Sequence, residues 1–180
     1  MPHPIPSLET ERLLLRPFTF EDATDVQRLA GHEKIASTTL NVPHPYEVGM
    51  AEQWIATHAK DYFAQGSINH ALCLKQTGEL IGAIGLAIQK RHNRAELGYW
   101  IGVPYWNQGY CTEAARCLIR FGFESMSLHK ITSCHLHDNP ASGRVMLKVG
   151  MEFEGELKDQ IRKGDAYMTV RVYGILNPKT

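Results

Sequence analysis

The sequence lacks a surplus of charge of either sign. Nineteen lysines and arginines balance nineteen aspartates and glutamates in 180 residues, and the sequence pI is about 7.1. A domain that binds nucleic acid or an anionic membrane surface usually carries a marked basic patch. We therefore expect neither a nucleic-acid nor a membrane partner, and any anionic ligand must be held by a local feature of the chain.

Long apolar segments are also absent. No run of about 18 apolar residues occurs, and residues 1–15 contain no basic stretch followed by an apolar core. The cysteines show no CxxC spacing, which fits reduced thiols better than a disulfide framework; they are Cys73, Cys111, Cys117 and Cys134. These absences predict a cytoplasmic protein without a membrane span.

The familiar nucleotide-binding motifs are missing as well. No GxGxxG segment follows a predicted strand and no lysine of the Walker type is present, so the sequence carries neither a Rossmann nor a P-loop signature. Internal repeats, low-complexity tracts and linkers are absent too. A chain of this length can bury one substantial core, and we expect one domain over residues 1–180.

The apolar pattern that is present switches between strand and helix periods. It predicts strands at 11–18, 94–101 and 130–137, a hairpin at 71–89 and a final hairpin at 151–176. Helices are expected at 19–31 and 50–65, for about three turns after Gly109, and in a short segment from Pro140 to Gly150. This order predicts an α/β or α+β fold with a mixed sheet.

The segment PYWNQGYCTEA, residues 104–114, joins a predicted strand to a predicted helix. Gly109 has no Cβ to obstruct a ligand, and the amides of Gln108 through Thr112 precede the helix, where the macrodipole adds partial positive charge. A pyrophosphate suits such a turn. With a single glycine, the same pattern also describes an ordinary strand-to-helix turn in which Gly109 relieves backbone strain.

Two longer motifs extend this interpretation. AELGYWIGVPYWNQGYCTEA followed by DNPASGRVMLKVGMEFEG resembles the core signature of the GNAT superfamily of acyl-CoA-dependent N-acetyltransferases. The similarity is greatest to the Rim-type branch, whose members acetylate N-terminal amines of ribosomal proteins, and it covers nearly the whole chain. It implies a mixed sheet splayed near its middle, flanked by helices, with acetyl-CoA as co-substrate.

The resemblance also implies how acetyl-CoA is held. The family's pyrophosphate loop falls on Gln108, Gly109, Tyr110, Cys111 and Thr112. The backbone that pairs with the pantetheine amides falls on Ile101, Gly102 and Val103, and the amide of Ile101 or Gly102 would polarise the thioester carbonyl. Asn139 and Ser142 match the family's asparagine and its small residue near the thioester end of the cofactor.

Acetyl transfer needs a base for the amine and a proton for the departing thiolate. By resemblance, Glu96 is the first candidate base, acting directly or through water; its alternative role is an ion pair with a basic neighbour such as Arg94. Glu154 is the second candidate, or else a surface acid. Ser142 can hydrogen-bond the leaving sulfur. Met146 stands where many family members carry the tyrosine that protonates the thiolate.

These assignments predict an enzyme that transfers an acetyl group from acetyl-CoA to a primary amine by direct attack in a ternary complex. A protein N-terminal α-amine, ribosomal or other, is the favoured acceptor, because its pKa of about 8 leaves part of it neutral near pH 7. A small-molecule amine (an amino acid, a polyamine or an antibiotic) stays open, as does a non-catalytic acyl-CoA-binding module. A monomer and a homodimer both remain open. The resemblance further implies that residues 41–47 and the last hairpin would wall the acceptor cleft.

Two other patterns suggest different chemistry. His135 and His137 alternate onto one face of a predicted strand, with Asp138 just beyond, but no third and fourth metal ligands follow at a recognisable spacing, and we expect no metal site. Cys111 at a helix N-terminus could have a lowered thiol pKa and act as a nucleophile. No base partner is identifiable in the sequence, and packing beside the cofactor is the simpler role.

Overall fold

Eight strands and five α-helices account for most of residues 5–64 and 66–179, the part of the chain that the computed structural model describes. The strands are β1 (Leu8–Glu9), β2 (Leu13–Arg16), β3 (Ser67–Leu74), β4 (Leu80–Gln89), β5 (Arg94–Ile101), β6 (Lys130–Leu136), β7 (Glu152–Lys163) and β8 (Ala166–Leu176). The helices are α1 (Ala23–Ala30), α2 (Glu33–Thr38), α3 (Met50–Phe63), α4 (Tyr110–Glu124) and α5 (Pro140–Lys148). Among these described helices, none is long and apolar enough to cross a membrane.

All eight strands form one open sheet in the order β1-β2-β3-β4-β5-β6-β8-β7. Neighbouring strands are antiparallel except for β5 and β6, which are parallel. A parallel pair needs a crossover connection, and α4 supplies it. The predicted mixed sheet is confirmed.

Helices cover both faces of this sheet. Leu13 and Leu15 of β2 are fully buried in the same apolar cluster as Leu118 of α4. Leu14, between them, packs into a second cluster with Val26 of α1. Because successive strand residues point to opposite faces, α1 and α3 lie on one side of the sheet and α4 on the other.

The sheet opens between β5 and β6. Their register pairs join Arg94–Glu96 to Lys130–Thr132 and stop there, whereas β5 continues to Ile101 and β6 continues to Leu136. β5 stays paired with β4 along its whole length. The two central strands therefore diverge into a wedge, which is the splay that the resemblance implies.

The differences from the predicted elements lie at their ends and in short segments. The helix expected at 19–31 divides into a 3-10 turn, Phe20–Asp22, and α1, because the Asp22 carboxylate accepts a hydrogen bond from Thr19 N at 2.8 Å and pairs with Arg16 at 2.7 Å. α4 has 15 residues, about four turns rather than three. β1 and α2 were not predicted, since two and six residues are too few to show a period.

Candidate active site

A cavity of about 1000 Å³ lies in the wedge between β5 and β6. The start of α4 and one face of α5 line it on one side, and residues 38–43, from the end of α2 onward, line it on another. Eight of the predicted site residues are among those that line it: Glu96, Ile101, Gly109, Tyr110, Cys111, Thr112, Asn139 and Ser142.

The loop before α4 has the geometry of an anion site. Gly109 is the N-cap residue with φ of +81°, a left-handed conformation that other residues adopt only at a cost. Glu113 N donates to Gly109 O at 3.0 Å, so the amides of Tyr110, Cys111 and Thr112 come before the first helical bond and have no partner within the helix. Since these residues line the cavity, they fit a pyrophosphate held there.

The end of β5 presents its backbone to the wedge at alternate residues. Gly102 N donates to Ile81 O at 2.8 Å, so this amide is already used within the sheet and cannot polarise a thioester. By the alternation of an antiparallel ladder, the polar groups of Ile101 and Tyr99 point the other way, toward β6. The Ile101 carbonyl accepts the indole N–H of Trp106 at 2.6 Å, which fixes the turn after the strand. Of the two amides proposed for the thioester, Ile101 is the available one.

A pair of hydroxyls faces the start of α5. The phenol of Tyr99 donates to Ser142 O at 3.1 Å, and its oxygen lies 2.9 Å from Ser142 Oγ. Burial raises the pKa of Tyr99, so the phenol stays protonated at neutral pH. Asn139 caps the helix through its side-chain oxygen, 3.4 Å from Ser142 N, and its amide donates to Thr38 O at 2.9 Å. Asn139 therefore connects the two walls of the cavity.

Glu96 stands on β5 at the edge of the wedge and is exposed. Cys134 of β6 donates its thiol to Glu96 Oε1 at 3.3 Å. Burial and the neighbouring carboxylate raise the pKa of this thiol to about 12, which keeps it a donor. Among the described residues, no ion pair includes Glu96; Arg94 donates to Gln89 Oε1 instead. The carboxylate is thus free to meet a substrate.

Glu154 lies elsewhere. Its carboxylate pairs with Lys130 at 2.6 Å and sits over Gly174 of β8, and it is not among the residues that line the cavity. Met146, in the place of the family's tyrosine, is almost fully buried in the core beside the wedge. Neither side chain therefore reaches the cavity in this structure.

Three predicted cofactor residues support the turn without lining the cavity. Gly102 bonds to β4 as described, Val103 O accepts the backbone N–H of Trp106 at 3.2 Å, and Gln108 donates its side-chain amide to Pro104 O at 3.1 Å. Their contacts are with the protein itself.

The two alternative chemistries receive no support from the geometry. Burial raises the pKa of the Cys111 thiol, the opposite of what a nucleophile needs. His135 is buried against Tyr173, whereas His137 is exposed beyond the end of β6 and contacts Glu156 Oε2 at 3.0 Å. Within residues 5–64 and 66–179, no group of three or more histidine, cysteine or acidic side chains is placed to hold a metal ion.

The sequence analysis missed Tyr99 and Arg12. Tyr99 belongs to the quoted motif AELGYWIG, but its partner Ser142 is 43 residues away. Arg12 bonds to Glu113 at a separation of 101 residues. No local spacing in the sequence marks either pair.

Comparison with known proteins agrees with this geometry. The sequence profile of the acetyltransferase (GNAT) domain matches residues 12–152. The uncharacterized N-acetyltransferase YoaA of Bacillus subtilis is 31% identical over 175 residues, which cover 97% of this chain and 98% of YoaA.

Two further similarities concern a ribosomal-protein enzyme and a solved structure. The ribosomal-protein-serine acetyltransferase of Escherichia coli is 36% identical over 97 residues, 53% of this chain and 54% of that protein. The crystal structure of a GNAT acetyltransferase from Bacillus anthracis superposes with a TM-score of 0.84 at 26% identity, covering 96% of this chain and 99% of that one. The chain therefore belongs to the GNAT family of acetyltransferases and is an enzyme that uses acetyl-CoA as its acetyl donor.

Proposed function

We propose that this protein acetylates the N-terminal α-amine of a protein or peptide. The observation that carries the proposal is the charge of the cavity wall. Among the described residues that line it, Glu96 is the one acidic side chain, and the basic ones, Arg144 and Lys148, lie on α5. A cavity with one carboxylate suits an acceptor with one amine.

A polyamine would fit this wall poorly. It carries several ammonium groups, and each one that leaves water needs an opposite charge or several acceptors close by. The wall near residues 38–43 and α3 is mostly apolar, aromatic or neutral, and includes Val42, Tyr46 and Trp54. Such a wall accommodates the first side chains of a peptide. The E. coli relative, named for ribosomal-protein serine, supports a protein acceptor.

The chemistry follows from the placement of three groups. The neutral amine attacks the thioester carbonyl; a C–N bond forms and the C–S bond breaks. Glu96 accepts the amine proton directly or through water, and the amide of Ile101 stabilises the oxyanion. Sulfur leaves as a thiolate that Ser142 Oγ hydrogen-bonds. The thiolate takes up a proton from water, and the proton that Glu96 took from the amine neutralises the hydroxide, which restores the carboxylate. An α-amine has a pKa of about 8 and a lysine amine one of about 10.4, so a weaker base, such as an exposed carboxylate, is sufficient to deprotonate the α-amine.

We place the reaction in the cytoplasm, where the four cysteines, all free in the structure, would remain reduced. We also propose that the catalytic unit is one domain over residues 1–180, because all eight strands belong to one sheet and the cavity lies where that sheet opens.

The test is the release of free CoA from acetyl-CoA, followed by chromatography so that protein thiols do not interfere. Peptides that differ at the N-terminal residue are compared with the same peptides N-acetylated and with spermidine and free amino acids. Turnover that requires a free peptide α-amine supports the proposal. Turnover with spermidine or amino acids alone would assign the enzyme to small amines, and CoA binding without turnover on any acceptor would favour a binding module.

A further inference from the structure

Arg12, just before β2, contacts the loop that precedes α4. Its Nη1 donates to Gln108 O at 3.0 Å, and its guanidinium carbon is 4.5 Å from the centre of the Tyr110 ring. Its Nη2 would be 3.4 Å from a Cβ added at Gly109. One side chain therefore contacts Gln108 and Tyr110 and lies close to Gly109 between them. Arg12 is not among the residues that line the cavity, and its side chain is 44% exposed, so it reaches the loop from the outer surface of the protein.

The same guanidinium is fixed by Glu113 in the first turn of α4. Nε and Nη2 of Arg12 both lie 2.7 Å from Glu113 Oε2, a two-point contact that holds the planar group in one orientation. The other carboxylate oxygen accepts from Arg12 N at 2.8 Å and from the Thr10 hydroxyl. Burial opposes the charge of Glu113, but these hydrogen bonds prevail and lower its pKa. Glu113 is thus a carboxylate at neutral pH.

This arrangement has an electrostatic consequence for the loop. A carboxylate in the first turn of a helix lies beside the amides that would hold a phosphate, and its charge repels a second anion. Arg12 neutralises Glu113. Its hydrogen bond to the Gln108 carbonyl also fixes the backbone just before Gly109.

We propose that Arg12 is a positioning residue for the acetyl-CoA pyrophosphate: it fixes the loop at 108–110 and cancels the charge of Glu113. The inference rests on acetyl-CoA as the donor and on the loop as the pyrophosphate site. It does not depend on which amine is the acceptor.

The experiment compares Arg12→Gln with Arg28→Gln. Arg28 is also paired with a carboxylate at 2.7 Å, that of Asp25 on α1, and is not among the residues that line the cavity. CoA affinity is measured by calorimetry, and kinetics are measured with acetyl-CoA and with S-acetylpantetheine, which has the same thioester but no pyrophosphate. We expect Arg12→Gln to weaken CoA binding about tenfold, or about 1.4 kcal/mol. S-acetylpantetheine kinetics should change less than about twofold, and Arg28→Gln should change neither.

A second comparison separates charge from folding. In the Arg12→Gln, Glu113→Gln double variant the unpaired carboxylate is gone, and part of the lost CoA affinity should return. Thermal melts accompany each variant; if Arg12→Gln does not fold, Arg12→Lys, which keeps the charge but not the two-point contact, takes its place with an intermediate loss expected. CoA affinity unchanged in the folded Arg12 variant, or equal losses with acetyl-CoA and S-acetylpantetheine, would overturn the proposal.

Discussion

Replacing Gly109 by alanine tests the loop before α4 with the smallest possible side chain. Gly109 has φ of +81°, and an L-residue in this conformation costs roughly 1–2 kcal/mol. The added Cβ would meet only Arg12 Nη2, at 3.4 Å, which is about van der Waals distance, so the cost is conformational rather than steric. The alanine must either keep the positive φ and its strain, or change φ and so move the loop amides.

The first response would appear as a loss of Tm, and the second as a loss of CoA affinity. If the strain is kept, Tm should fall by about 2–8 °C, since 1 kcal/mol corresponds to about 2–4 °C in a domain of this size. If the backbone turns, hydrogen bonds to a charged group worth about 1.5–3 kcal/mol each are misaligned. CoA affinity should then fall by about ten- to a hundredfold for one such bond. Calorimetry gives the affinity and a thermal melt gives Tm.

Gly78 provides the matched control. It has φ of +75° in the turn between β3 and β4, and nothing lies within 4 Å of an added Cβ. Gly78→Ala should therefore reproduce the conformational cost without any effect on CoA. If Gly109→Ala loses clearly less Tm than Gly78→Ala, so that its backbone has turned to relieve the strain, and still binds CoA as tightly as the native protein, the loop does not hold the pyrophosphate and the assignment fails.

Three further predictions concern the acid, the hydroxyl pair and a buried histidine. Glu96→Gln should lower kcat/KM about 100-fold at pH 7 and by a smaller factor above pH 8.5, where an α-amine is already neutral. Glu154→Gln should have little effect at either pH. If Glu154→Gln instead shows the large loss at pH 7 and Glu96→Gln does not, the base is Glu154. Tyr99→Phe should lower kcat about tenfold with KM for acetyl-CoA nearly unchanged, since Ser142 loses one hydrogen bond. If Tyr99→Phe lowers kcat by the same factor in a Ser142→Ala background, the two hydroxyls act independently and this explanation is wrong. Burial lowers the pKa of His58 to about 4, so the unfolded chain binds this proton before the folded chain does as the pH falls. The free energy of unfolding should therefore decline between about pH 6.5 and 4. Thermal melts of His58→Leu should show a smaller decline of Tm over this pH range, and an equal decline would contradict the role of His58.

Local sequence was enough wherever a feature is made by neighbouring residues. The strand at Arg94–Ile101 has the predicted bounds, because period-2 alternation and its flanking turns are contained in eight residues. The role of Gly109 could likewise be predicted from the local sequence, since a helix whose N-cap residue is left-handed favours glycine at that position. The family motifs 95–114 and 138–155 belong to this class, and so does the family assignment.

The tertiary structure decided which of these residues face the cavity. The sequence offered Ile101 and Gly102 equally, and the β4–β5 register assigned the Gly102 amide to Ile81. It offered two carboxylates, and the β7–β8 pairing placed Glu154 beside Lys130 while the wedge left Glu96 on the cavity wall.

By itself, then, the sequence determined most of the elements, the glycine turn before α4 and the family, because each depends on residues close together in the chain. Only the tertiary structure paired Arg12 with Glu113 and Tyr99 with Ser142, 101 and 43 residues apart. It alone also decided that a single acid lines the cavity among the described residues. The physical reason is that charge, burial and hydrogen-bond partners are set by the way the sheet brings distant segments together, and no spacing along the chain records that arrangement.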